Sequence, residues 1–151
     1  MRRWVSLLLI MSTSAAAQTR DAGVEAVQQC LAVIQQQNQC SPFITVQSVK
    51  QVDRQINGTA ATVIAEINLT VTQSFGGQGP LARACTGTEW NMNPSQVRAS
   101  TPDPRFAYFL VGQVLQVHPS FGFQKFESGW RCSTTNLNSP GATAYYMNNR
   151  P

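Results

Sequence analysis

The side chains that can do acid–base chemistry are few and widely spaced in this sequence. The chain has one histidine, His118, beside Pro119, and Glu66 stands in the middle of a regular apolar–polar alternation. Glu89, next to Trp90, is a second carboxylate with no base near it in sequence. General acid–base catalysis needs a partner group within hydrogen-bond reach and a pKa matched to the task. The sequence therefore gives Glu66, Glu89 and His118 as candidate pocket residues without predicting a reaction.

The motifs of other common enzyme classes do not occur. No Gly-x-Ser-x-Gly sequence is present, which is the sharp turn that exposes a hydrolase serine. The glycine-rich stretch 76–80 is not followed by Lys-Ser/Thr and does not predict a phosphate-binding loop. We expect a protein that binds rather than catalyses, without a metal or cofactor, and leave the question of enzyme activity open.

Four cysteines, Cys30, Cys40, Cys85 and Cys132, favour disulfide chemistry over metal binding. No pair of them has the close C-x2-C spacing of a zinc site. An even number in an exported chain predicts two disulfides, for which three pairings are possible. We favour Cys30–Cys40, which would tie a helix to the loop that leaves it, and Cys85–Cys132, which would tie two late strands together.

Residues 1–17 have the layout of a secretory signal peptide. Arg2 and Arg3 precede an apolar run, and Ala15–Ala17 supplies small residues before Gln18. The run is shorter than the roughly 20 residues of a membrane-spanning helix, and no later segment predicts one. We therefore expect cleavage before Gln18, no membrane span after cleavage, and a secreted or periplasmic protein.

The charge of the chain limits the kinds of partner it suits. The formal net charge is +4, and the loss of Arg2 and Arg3 would leave about +2, which is too small and dispersed for a nucleic-acid interface. The expected partner is another envelope or secreted protein. The length predicts a single domain over residues 18–133, and the segment 134–151, with little periodicity, predicts a flexible tail.

The sequence predicts a helix and a β-hairpin, and these elements would position the side chains of any functional site. Apolar residues at steps of three and four predict a helix over 21–37, with Asp21 as its cap. A strand over 43–56 changes parity near Ser48, which predicts a bulge. Asn57-Gly58 is typical of a type I′ turn. The alternation from Thr59 to Val71 then predicts a strand with one buried and one wet face, on which Glu66 lies.

The remainder of the chain predicts further strands. We expect strands over 81–92, 106–117 and 121–132, a loop at 76–80, and a proline-rich surface excursion over 93–105. The order of elements predicts an α+β fold, in which one N-terminal amphipathic helix packs on a curved antiparallel sheet of four to five strands.

Two segments resemble known families. Ile56-Asn57-Gly58, followed by Ala60-Ala61-Thr62-Val63, resembles the hairpin of NTF2-like and cystatin-like domains. The segment Phe123–Arg131, which ends in Gly-Trp-Arg, is similar to the final strand of NTF2-like domains. The resemblance covers about half of the mature chain and implies an α+β roll.

The same resemblance implies two alternatives to a non-catalytic binding or assembly module. Cystatins carry a Q-x-V-x-G loop that wedges into papain-type active sites, and Gln55-Ile56-Asn57-Gly58 is similar but one residue short and without the valine. The second cystatin wedge, Pro-Trp, is absent, since Trp130 follows Gly129. NTF2-like folds sometimes form a cone that holds a small ligand or a catalytic Asp/His pair.

Aromatic residues near the C-terminal strands are the candidate interface. Phe123 and Phe126 have opposite parity on the predicted strand, so one of them is expected to face outward. Trp130 and Trp90 add aromatic bulk. Two interpretations follow: an exposed aromatic patch marks a site of protein–protein contact, or the proline-rich excursion over 93–105 covers this second face.

Overall fold

The computed structural model describes residues 19–88, 108–139 and 143–146, the last four by their backbone alone. A helix packs against a strongly curled antiparallel sheet, so the predicted α+β class is confirmed. The elements in chain order are α1 Val24–Gln37, β1 Ile44–Asn57, β2 Ala60–Val71, β3 Phe75–Gly76, α2 Pro80–Thr86, β4 Tyr108–Phe109, β5 Gln113–Val117, β6 Ser120–Phe126, β7 Gly129–Cys132 and β8 Thr143–Tyr146.

Helix α1 forms where apolar residues recur at helical spacing, and this stripe faces the sheet. Its buried residues are Ala26, Val27, Cys30, Leu31 and Ile34. The helix begins three residues later than the sequence indicates, and its N-cap is Gly23 rather than Asp21. The Asp21 carboxylate instead pairs with the Arg54 guanidinium at 2.8 Å, which fastens the start of the helix to β1.

Strands β1 and β2 form the predicted hairpin, and β1 carries the predicted bulge. The register shifts between Val46 and Ser48, and again between Gln51 and Asp53. The turn differs from the prediction, because it consists of Gly58 and Thr59 and, of these two, only Gly58 has a positive φ, +60°. Glycine at the first of two loop residues is the arrangement of a type II′ turn rather than type I′.

Strand β2 is the centre of the fold. Its alternate residues are buried against the helix as predicted: Ala61, Val63, Ala65, Ile67, Leu69 and Val71. One edge of β2 pairs with β1, and the other pairs first with β6 and then with β5. Strands β5 and β6 therefore lie end to end along β2, with β8 and β7 beyond them.

The predicted strand over 81–92 is wrong in its described part, where Pro80–Thr86 is the helix α2. Proline is favoured in the first turn of a helix, and the run that follows is rich in good helix formers. Gly87, in the left-handed conformation with φ +70°, ends the helix. Glu89, Trp90 and the excursion 93–105 lie outside the described residues.

The two late strands are each interrupted by a turn. The segment predicted as one strand over 106–117 breaks between β4 and β5 at Gly112, whose φ is +84°. The segment predicted as one strand over 121–132 is a hairpin of β6 and β7, in which Phe126 pairs with Gly129. Gly129 has a φ of +130°, which glycine adopts far more readily than other residues.

The favoured disulfide pairing is wrong. The structure joins Cys30 to Cys132 and Cys40 to Cys85, across separations of 102 and 45 residues. Cys30 lies on the sheet-facing side of α1, where β7 passes, so its partner comes from the far end of the chain. Cys40 follows α1 and is bridged to α2, which the sequence analysis had assigned to a strand. Each bridge thus ties a helix to an element distant in sequence.

Described residues of the segment predicted as a flexible tail, 134–139, contact the rest of the domain. Leu137 is fully buried, and the Ser139 backbone N–H donates to the Gly87 carbonyl at 3.2 Å. Strand β8 pairs with β5. The described residues after β7 therefore contact both the end of α2, at Gly87, and the end of β5, at His118. No helix in the described part of the chain is long and apolar enough to cross a membrane.

Candidate functional site

Glu66 and His118 come together on the face of the sheet that points away from α1. Ile67 pairs with Val117 across β2 and β5, and this register places the preceding Glu66 beside the following His118. The Glu66 Oε2 and His118 Nε2 atoms are 3.4 Å apart. Nothing in the sequence indicates this meeting, because it depends on the pairing of strands about 50 residues apart.

The Glu66–His118 pair is open to solvent. The side chains are 30% and 36% exposed respectively. Lys50 lies opposite Glu66 on β1, and the His118 backbone N–H donates to Ser139 Oγ at 2.7 Å. An acid–base pair on an open polar face can form a surface ion pair when the histidine is protonated, and such pairs contribute little to stability.

Two other candidate pocket residues, Phe123 and Trp130, line a small crevice between α1 and the β6–β7 hairpin. Its volume is about 60 Å³. Its walls include Thr19, Ala26, Gln29, Val33 and the Cys30–Cys132 bridge. Small-molecule sites are typically at least about 300 Å³, so this crevice suits one side chain rather than a whole ligand.

The turns of the two hairpins lie side by side at one end of the sheet. The Lys125 backbone N–H, in β6, donates to the carbonyl of Thr59, in the β1–β2 turn, at 2.7 Å. We call this region the hairpin end and define it as Ile56, the turn Gly58-Thr59, Phe126 and Arg131. It is formed by β1, β2, β6 and β7, which are neighbouring strands paired by backbone hydrogen bonds.

Two apolar side chains are exposed at the hairpin end, on opposite faces of the sheet. Phe126 is 45% exposed and Ile56 is 48% exposed. The Arg131 guanidinium lies 4.5 Å from the centre of the Phe126 ring. Phe123 is only 3% exposed, so of the two phenylalanines of opposite parity it is Phe126 that faces outward. Of the two phenylalanines predicted as part of an interface, Phe123 thus lies in the core and Phe126 lies at the surface.

Trp130 is buried next to the hairpin end and is not part of its exposed surface. It is 6% exposed, and the Lys125 ammonium lies 5.8 Å from its ring centre. Each face of the β6–β7 hairpin therefore carries one cation beside one aromatic ring. Such contacts hold the side chains in defined positions and contribute about 0.5–1 kcal/mol each at exposed sites.

Sequence reasoning missed Ile56, Arg131 and Thr19. Ile56 pairs with the buried Ala61 and shares its face of the sheet, yet it is 48% exposed near the end of β1. Arg131 is placed near Phe126 by the two-residue turn of the hairpin, which a single long strand would not allow. Thr19 forms an isolated bridge with Trp130, and nothing in its sequence neighbourhood indicates this contact.

The described part of the chain contains no group of three or more His, Cys, Asp or Glu residues that could hold a metal ion. Comparison with known proteins found no protein-family model, no curated protein and no solved structure that matches this chain.

Proposed function

We propose that this protein is an exported, non-catalytic binding module, which contacts another envelope or secreted protein through the hairpin end. The observation that carries the proposal is the exposed Phe126 ring with the Arg131 guanidinium against it, at the tip of two adjoining hairpins. Aromatic residues and arginine are the types enriched where proteins bind each other.

The energetics of Phe126 support this use. Full burial of an exposed phenylalanine side chain contributes about 1.5–3 kcal/mol, and a partner can still bury the 45% of Phe126 that is exposed. The Arg131 guanidinium already holds the ring from one side. A ring that is fixed before binding loses less conformational freedom when the partner covers it.

The disulfides support an exported location. Cys30–Cys132 and Cys40–Cys85 use every cysteine in the chain, and disulfides persist mainly in oxidising compartments such as the periplasm or the extracellular space. The signal-like layout of residues 1–17 agrees with this location. The helix-on-curled-sheet architecture is compatible with an NTF2-like or cystatin-like roll, and we include that relationship in the proposal.

The proposal is tested by Phe126→Ser with Val111→Ser as its matched control. Val111 is 63% exposed and lies next to Gly112, which bonds the opposite end of β2 at Val71. We expect Phe126→Ser to weaken binding of a partner captured from host envelope extract by at least about tenfold, which corresponds to about 1.4 kcal/mol. Val111→Ser should leave binding unchanged. Equal binding by both variants would show that the partner does not bind at the hairpin end.

A cystatin-like protease inhibitor is a second candidate, favoured by one observation. The contact between Lys125 and Thr59 places both hairpin turns at one end, and the Thr19–Trp130 bridge brings the N-terminal segment there too. Paired hairpin turns at one end are the parts from which a cystatin wedge is made. Titration of papain with the purified protein tests this candidate: one-to-one loss of protease activity supports it, and full activity at excess protein rejects it.

A further inference from the structure

The segment before α1 lies along the outer edge of β7. The Thr19 backbone N–H donates to the Trp130 carbonyl at 3.3 Å, and the Trp130 N–H donates to the Thr19 carbonyl at 2.9 Å. Thr19 Oγ1 also donates to the Asp21 carbonyl at 2.6 Å, and Thr19 is only 6% exposed. We call Thr19 and Arg20 the strap. The edge of β7 thus accepts an extended segment in this structure.

The contact between Thr19 and Trp130 requires glycine at position 129. A Cβ atom at this position would collide with the Thr19 carbonyl oxygen, and its φ of +130° is itself unfavourable for other residues. The backbone of an extended segment can approach Trp130 closely only because the preceding residue has no side chain.

Among the described residues, the strap pairs with only part of the hydrogen-bonding edge of β7. In an antiparallel hairpin, backbone groups point alternately toward the partner strand and away from it. Phe126 and Gly129 close the β6–β7 turn, so the outward-pointing residues of β7 are Trp130 and Cys132. Trp130 is paired by Thr19, whereas the alternation directs the N–H and C=O of Cys132 to the same outer edge. A longer extended segment could therefore form four backbone bonds where the strap forms two.

The crevice of about 60 Å³ lies beside this edge. Thr19, Trp130 and Cys132 line it, together with Val33, which is 38% exposed at its rim. Gln29 also lines the crevice, and its Oε1 atom is buried without a hydrogen-bond partner among the described residues. A buried acceptor without a donor is unfavourable, so a ligand that brings an N–H group gains an additional interaction.

We propose that the outer edge of β7 and this crevice form a binding site for an extended peptide segment with a branched aliphatic side chain. The segment pairs with Trp130 and Cys132, places its aliphatic side chain in the crevice and donates to Gln29 Oε1. In the free protein the strap occupies part of the site and competes with the peptide. The inference goes beyond the proposed function, since the hairpin end and the β7 edge can each bind without the other.

The test uses the full chain and the acetylated, amidated pentapeptide Thr-Val-Thr-Val-Thr as probe. Thr19→Pro removes one of the two backbone bonds that hold the strap to Trp130 and leaves the other residues that line the crevice unchanged. A site that is open in only a fraction of molecules shows an affinity reduced by that fraction. We therefore expect Thr19→Pro to bind the probe at least about tenfold more tightly than the unmodified chain. Thr19→Ser, which keeps both bonds, should behave as the unmodified chain does.

The readout is the shift of the Trp130 and Cys132 backbone amide signals in NMR titrations. Adding Val33→Phe to Thr19→Pro fills the crevice from its exposed rim and should abolish the gain. A probe with proline in place of its central threonine should not bind. The inference is overturned if Thr19→Pro binds no better than the unmodified chain, if Val33→Phe leaves the gain intact, or if signals elsewhere shift instead. None of these results depends on capture of a partner through Phe126.

Discussion

Replacing Cys30 and Cys132 together by alanine is expected to lower the free energy of unfolding by about 4–5 kcal/mol. The bridge joins residues 102 positions apart, so it restricts most of the unfolded chain. It is also the covalent link between α1 and the last strand of the β6–β7 hairpin. Urea unfolding of the oxidised protein and of the double variant measures the difference.

The matched variant for this comparison is Cys40→Ala with Cys85→Ala. This bridge spans 45 residues and both of its cysteines are fully buried. Its removal is expected to lower the free energy of unfolding by about 4 kcal/mol. Non-reducing peptide mapping of the unmodified protein checks the connectivity itself. A Cys30–Cys40 peptide in that map, or a double variant within about 1 kcal/mol of the parent, would contradict the pairing described above.

Ile67→Ala is expected to lower the free energy of unfolding by about 2–5 kcal/mol. Ile67 is fully buried at the centre of β2, on the face that packs toward α1. Truncation there removes apolar contacts and leaves a cavity that the surrounding residues cannot fully close. Urea unfolding measures the change, and the slope of the transition shows whether the unfolded state is affected as well.

Ile64→Ala is the matched control for Ile67→Ala. The same substitution is made on the same strand, but Ile64 lies on the opposite face and is 36% exposed. Its effect should stay below about 1 kcal/mol, as at ordinary partly exposed sites. Equal losses for the two variants would show that both faces of β2 are buried, and a larger loss for Ile64→Ala would reverse the assignment of the faces.

The first half of the fold could be predicted because its signals are local. The alternation of β2 has a period of two over twelve residues, and only one choice of buried face is consistent with it. The parity change near Ser48 predicts the bulge that the register shows. The apolar stripe of α1 likewise requires no knowledge of its partner.

The second half depends on contacts that sequence spacing does not contain. Strands β6 and β7 lie within the segment 121–132, which the sequence predicts as one strand, and the turn between them depends on Gly129 and on the pairing of the two strands. Disulfide connectivity follows from which elements meet, and α1 meets both α2 and β7. The α2 signals, Pro80 at the start and Gly87 at the end, are present in the sequence and support a helix.

The candidate site was predicted by residue type but not by arrangement. Opposite parity separates Phe123 from Phe126, and the structure shows which of the two is at the surface. The roles of Arg131, Ile56 and Thr19 arise only from the hairpin turn, the position near the end of β1 and the bridge to Trp130. Glu66 and His118 are brought together by strand pairing alone.

The most direct test of the central claim is site-specific photo-crosslinking in the living host. A photoreactive phenylalanine analogue replaces Phe126 in one strain and Val111 in another, and irradiation captures whatever touches each position. The hairpin-end interface predicts one recurrent envelope or secreted partner attached at position 126 and none at position 111. The same products from both positions, or no product from position 126 while the protein is exported and folded, would contradict it.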